Sequence, residues 1–166
     1  APILDSLHGK TLASMFYSCS TLNASFNNWD VSSVEHFSLM FASCTSFNSP
    51  LNNWNTQNGK AFWAMFGDAS SFNQNLGVWR LDSADNIEDM LSHSGLSIEN
   101  YDSTIIGWYN QNLNKSLLFR GEGLTYCHAK NARDSLIADG WVFNFDSLDA
   151  NCSSISILED RFSQQI

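Results

Sequence analysis

Cationic residues are scarce in this chain: 8 Lys and Arg stand against 17 Asp and Glu, a formal net charge of −9. Phosphate recognition needs cations, so nucleic acid is not an expected partner, and anionic membrane surfaces are disfavoured for the same reason. No apolar run approaches the roughly 18–20 residues that span a bilayer, which argues against direct membrane insertion. The four cysteines show no C-x-x-C spacing, so zinc is not expected. His8, His36, His93 and His128 fall in no H-x-x-x-H or H-E-x-x-H pattern. There is no G-x-S-x-G elbow, Walker loop or G-x-G-x-x-G, and Gly121-Glu122-Gly123 reads as a turn. The expectation is a chain that is not an enzyme and needs no cofactor or metal. It also has no initiator Met and no signal peptide, and it begins inside a repeat, so a fragment or processed product is expected.

What the chain does have is apolar mass and neutral polarity. Hydrophobic residues make up 43%, enough for a packed core. Asn and Ser supply 43 of the 166 residues, so most of the polar surface carries no charge.

The dominant feature is a 25-residue repeat. Met15, Met40, Met65 and Met90 align, and so do Phe16, Phe41, Phe66 and Leu91. Trp29, Trp54 and Trp79 form another column with Leu4 in the same slot, and Asn23, Asn48 and Asn73 another. Leu22, Phe47 and Phe72 align, as do Phe26, Leu51 and Leu76, and Leu12, Phe37, Phe62 and Ile87. A period of this length marks one turn of a stacked array, because each unit is too small to bury its own apolar face. The Trp column reads as a core ladder. The Asn column reads as structural, since Asn side chains satisfy turn backbones. Within a unit, residues 34–44 place Val34, Phe37, Met40 and Phe41 at helix-like spacing, and residues 50–56 read as a short extended segment. The same helical expectation applies to 9–19, 59–69 and 84–94. Asp82, Asp85, Glu88 and Asp89 match no calcium loop and read as a solvated helix start.

The stretch FNNWDVSSVEHFSLMFASCTSFNSPLNNW is similar to the repeats of the BspA-like leucine-rich-repeat bacterial surface proteins, and the resemblance covers about residues 1–94. The third unit departs from the pattern, with Arg80-Leu81-Asp82 where the family has D-V-S. GLSIENYDSTIIGWYNQ and GLTYCHAKNARDSLIADGW resemble the capping region that follows such arrays. The resemblance implies an α/β fold: a right-handed leucine-rich-repeat-like solenoid of 25-residue repeats with a C-terminal α/β cap. The expected division is residues 1–94 for the array, 95–152 for the cap and 153–166 for a linker. In the cap, a helix is expected around Tyr101, Ile105, Ile106 and Trp108, a strand at Asn114–Phe119, a helix at Ala129–Ala138 and a strand at Trp141–Phe145. The tail resembles the linker before a type IX secretion sorting domain of Bacteroidota.

The implied function is recognition or adhesion at the bacterial cell surface or after secretion, with a protein or polysaccharide ligand. The alternatives are an accessory subunit with an outer-membrane protein partner and a passive spacer. The expected ligand face is Asn27, Asn28, Asp30, Asn52, Asn53, Asn55, Val78 and Arg80, joined by Trp63, which is either exposed and able to stack on a pyranose or loosely packed in the core. An extracellular location permits a Cys127–Cys152 disulfide, which would pin the tail to the cap. Cys19 and Cys44 share a slot filled elsewhere by Ala69 and Ser94. A slot that accepts Cys, Ala and Ser is a tight packing position, so free buried thiols are the expectation. A bridge between adjacent turns needs Cα atoms within about 7 Å, and helical sides of leucine-rich solenoids space their turns more widely than strand sides.

Overall fold

A computed structural model describes residues 10–113 and 115–152 of the chain. The expected linker at 153–166, Leu4 and Asn114 lie outside the described residues.

Residues 10–94 form four stacked rungs that begin at Lys10, Glu35, Lys60 and Asp85, one period apart. Parallel bridges join Thr11 to His36, His36 to Ala61, and Ala61 to Asn86. A simple backbone rule builds the stack. Alternate amides donate along the stack axis to the next rung: Phe37 to Ala61 O at 2.7 Å, Leu39 to Trp63 O at 2.9 Å, Phe41 to Met65 O at 2.9 Å and Ser43 to Gly67 O at 2.8 Å. The intervening amides close turns within the rung: Met40 to Phe37 O, Ala42 to Leu39 O and Cys44 to Phe41 O. Between them, the two sets satisfy the amides from Leu39 to Cys44, as buried backbone requires.

These segments are therefore not helical. The helices expected at 9–19, 34–44, 59–69 and 84–94 are runs of turns over their described residues. The apolar spacing that suggested a helix has another cause. A β-turn joins residues three apart, so a chain of turns returns a side chain to the core every three or four residues, as a helix does. Phe37, Met40, Phe41, Cys44, Phe47, Leu51 and Trp54 are all buried in this way.

Eight non-glycine residues with positive φ fall in two slots of the repeat: Ser14, Leu39, Ala64 and Asp89 in one, Ser18, Ser43, Asp68 and His93 in the other. Each is the third residue of a turn closed by an i+3 to i bond, where a type II turn requires this sign. Left-handed backbone costs an L-residue roughly 1–2 kcal/mol. Inter-rung hydrogen bonds from the amides of Ser14, Leu39 and Ala64, and of Ser18, Ser43 and Asp68, offset it.

Stacking puts like side chains on one another. Phe41 lies 5.5 Å from Phe16 and 5.6 Å from Phe66, ring centre to ring centre. Trp54 and Trp79 are 5.8 Å apart and nearly parallel. Each indole also bonds to a neighbouring rung, Trp54 Nε1 to Phe26 O at 2.8 Å and Trp79 Nε1 to Leu51 O at 3.0 Å. The Asn column works through its oxygens. Asn23 Oδ1 accepts the Asn48 amide at 3.3 Å, and Asn48 Oδ1 the Asn73 amide at 2.8 Å.

The cap continues the stack with helices inserted. Helix α1 (Ile98–Tyr109) lies on the third rung; strand β1 (Leu118–Arg120) and strand β2 (Thr125–Tyr126) follow it. Helix α2 (Lys130–Ala138) precedes β3 (Val142–Asn144) and β4 (Ser147–Leu148). β1 pairs in parallel with β3, and β2 with β4. The expected first cap strand is shorter and later than its predicted span; α1, α2 and β3 fall where expected, and β2 and β4 were not anticipated. Trp108 of α1 extends the Trp column, its Nε1 donating to Leu76 O at 3.2 Å. Asn73 Oδ1 accepts the Ser97 amide at 2.9 Å, so the Asn column ends at the start of α1. Gly107 lets the helix approach: a Cβ there would lie 2.3 Å from the Gly77 Cα. Asp102, 3% exposed, accepts the amides of Cys127, His128 and Ala129 at 2.8–3.1 Å. It thereby caps α2, whose own N-cap residue Ala129 supplies no side-chain bond.

Replacing Asp102 by Ala orphans these buried donors and is expected to cost about 3 kcal/mol or more, with Asp102→Asn milder; urea denaturation of both variants checks the order. Ala64→Val forces a β-branched residue into positive φ and is expected to lower stability by about 2 kcal/mol. Ala64→Gly relieves the strain and should equal or exceed the parent in the same measurement.

Candidate functional site

The loops that close successive rungs carry most of the expected ligand face. A shallow, open concavity of roughly 340 Å³ is lined by Asn27, Asn28, Trp29, Asp30, Val31, Asn53 and Asn55. It unites Asn27, Asn28, Asp30, Asn53 and Asn55 of the predicted face. Asn52, Val78, Arg80 and Trp63 do not line it. Trp63 is exposed, on the turn-ladder segment of the third rung, and Val78 is exposed as well.

The residues of this face have different duties. Asn27 donates from Nδ2 to Asn52 Oδ1 at 3.2 Å and accepts the Asn53 amide at 3.0 Å. Asn27 and Asn52 thus form a second inter-rung ladder, and their amides are largely committed to the fold. Asp30 Oδ1 accepts the Ser32 amide at 3.0 Å, and Asn55 Oδ1 the Gln57 amide at 3.2 Å. Both are Asx turns in one slot, and each leaves polar atoms facing outward. Hydrogen bonds from Ser32, its side chain first and its backbone second, hold the Asp30 carboxyl below the usual range. Arg80, next in that slot, is engaged instead by Asp82, through Nε at 2.8 Å and a terminal nitrogen at 2.6 Å. Asn28 and Asn53 are exposed and make no side-chain hydrogen bond among the described residues. The face therefore offers two uncommitted amides, one carboxylate and one half-committed amide, a mixture suited to hydroxyl or peptide groups.

A second concavity, roughly 420 Å³, was not anticipated from the sequence and is lined by Lys10, Ser33, Glu35, Asn58, Lys60 and Ser83. Glu35 bonds to Lys10 on one side and to Lys60 at 2.7 Å on the other. Lys10 first and Lys60 second hold the Glu35 carboxyl down at about 2. The signal was present in the repeat register, where one slot reads Lys10, Glu35, Lys60, Asp85 and alternates in sign. The search for apolar columns passed over it.

The acidic cluster is dispersed rather than convergent. Asp82 pairs with Arg80, and Glu88 pairs with Arg120 at 2.6 Å. No helix begins there, so the helix-start reading is replaced by these ion pairs. Among the described residues there is no group of three or more potential metal ligands. No helix there is long and apolar enough to cross a membrane. Cys127 and Cys152 form a disulfide with a Cα separation of 5.3 Å. Cys19 and Cys44 are free, Cys19 exposed and Cys44 buried, so the expectation of two buried thiols holds for Cys44 alone.

The architecture defines a stacked 25-residue repeat protein closed by a helical cap. A family model described as "Mycoplasma protein of unknown function, DUF285" matches residues 5–108, more than half of the chain, and the chain belongs to that family. No curated protein matches it, and no solved structure does.

Glu35 makes a pH prediction. Its folded-state value of about 2 lies below the ordinary 4.5, so its contribution is complete above pH 4.5 and is lost as pH falls through 2. The stability difference between the parent and Glu35→Gln should therefore shrink as pH falls across that window. Glu35→Lys, which lines up three cations, should melt lowest at neutral pH.

Proposed function

We propose that this chain is a non-enzymatic recognition module of the BspA-like leucine-rich-repeat kind, a right-handed solenoid acting at the cell surface or after secretion. Its ligand is a protein or polysaccharide held in the groove of Asn28, Asp30, Asn53 and Asn55. One observation carries the reading. Asn28 and Asn53 occupy one repeat slot, stand exposed and make no side-chain hydrogen bond among the described residues, whereas the neighbouring Asn27 and Asn52 are tied into the fold. Amides of this kind hydrogen-bond hydroxyls and peptide groups with no need for charge.

A second reading, docking to a protein partner such as an outer-membrane assembly, draws on exposed apolar residues in the cap. Val142, Phe145 and Leu148 are 49%, 66% and 42% exposed. They fall within one short stretch of chain, and apolar exposure gathered into a patch is a frequent mark of interfaces.

Glycan and protein arrays probed with the parent and with Asn28→Ala/Asn53→Ala test the first reading. A ligand that the parent retains and the double variant loses by tenfold or more is the expected result. Binding that survives this change but is lost with Phe145→Asp moves the site to the cap. A chain that binds nothing on either array is a spacer.

A further inference from the structure

Two thiols occupy one slot on neighbouring rungs. Cys19 is exposed on the first described rung, and Cys44 is buried on the second. Backbone hydrogen bonds tie the rungs together on both sides of the slot, from the Ser18 amide to Ala42 O at 2.8 Å and from the Ser46 amide to Ser20 O at 3.1 Å. Segments paired in this way run about 4.8 Å apart, inside the Cα range of about 4.4–6.8 Å that a disulfide accepts. The Cys44 thiol points across the gap. Its Sγ donates to Phe16 O at 3.0 Å, and the Cys19 amide donates to the same oxygen at 3.0 Å. Two bonds on one oxygen hold the Cys44 sulfur beside the Cys19 backbone.

The molecule already contains one disulfide, Cys127–Cys152, with Cα atoms 5.3 Å apart. It lies beyond the parallel-paired strands β2 and β4, whose register is 22 residues, so it joins adjacent turns of the cap without sharing the 25-residue register of the rungs. The third and fourth rungs carry Ala69 and Ser94 in the thiol slot, which confines the pair to the first two.

We propose that Cys19 and Cys44 are a redox-closable pair, oxidised by a small-molecule disulfide to an inter-rung bridge that fastens the first described rung to the second. The exposed Cys19 reacts first. Its thiolate attacks one sulfur of the reagent, a mixed disulfide forms at Cys19, and one reagent thiolate leaves and takes up a proton. Cys44 then loses its proton, attacks the Cys19 sulfur and displaces the second reagent thiol. Two cysteine thiols are oxidised and one reagent disulfide is reduced to two thiols. This order agrees with the environments, since burial pushes the Cys44 thiol above its ordinary value. Closure costs the Cys44 hydrogen bond to Phe16 O and removes freedom from the first described rung.

The test uses the full chain with Cys127–Cys152 intact. It is incubated with oxidised glutathione, unfolded, alkylated, and cleaved after Glu35, which falls between the two cysteines. The expected result is a monomer that takes up two fewer alkyl groups, whose Cys19 and Cys44 peptides stay joined until reduction, and whose Tm rises on oxidation. Glutathione left on Cys19 with Cys44 alkylated, a dimer linked through Cys19, or two alkylated thiols would each overturn it. Cys44→Ala places in this slot the residue that the third rung carries at Ala69, so the variant should fold. In that variant oxidation should leave glutathione on Cys19 with no rise in Tm; a rise equal to the parent's would also overturn the proposal.

Discussion

The structure depends on the hydrogen bonds that every second amide of one segment of a rung, Phe37 to Ser43 in the second, sends to the next rung. Because the bonds run from Phe37, Leu39, Phe41 and Ser43 to Ala61, Trp63, Met65 and Gly67, the chain must return to the same place after a fixed number of residues. An insertion in one rung would shift every later donor off its acceptor. The repeat therefore keeps its length, and like residues are forced to lie on like residues. Phe stacks on Phe, Trp on Trp, and Asn on Asn. The same constraint explains why Ser, Leu, Ala, Asp and His accept positive φ in two slots, since only that backbone sends the amide along the axis while the turn closes.

Much of this was legible in the sequence, and the reason lies in the stacking. Columns spaced by the repeat length are the direct image of inter-rung contact, so Trp54 and Trp79, Asn48 and Asn73, and the Phe series were placed by alignment alone. The conformation inside a rung was not legible. Turns and helices share an apolar spacing of three to four, and Phe37, Met40, Phe41 and Cys44 satisfy both. Composition offered no warning, because no glycine occupies the two positive-φ slots. In the cap the helical period was real, and α1 and α2 appear close to their expected spans.

The candidate face was half legible for a related reason. Alternation with apolar columns marks a side chain as outward, but not whether it is free. Asn27 and Asn28 look alike in sequence; one bonds to the next rung and the other does not. Arg80 looked available and is held by Asp82. The charge ladder of Lys10, Glu35 and Lys60 escaped notice because its signal is an alternation of sign between repeats rather than an identity. Since the backbone and the inward side chains are committed to holding the rungs, only the few loop positions that stacking does not use keep polar groups free for other contacts.

The most direct test of the account is a through-hydrogen-bond scalar coupling measurement on isotopically labelled protein, read at the amide of Leu39. The account predicts coupling between the Leu39 nitrogen and the Trp63 carbonyl carbon, 24 residues along the chain. Coupling to the Glu35 carbonyl, the partner an α-helix requires, would contradict it.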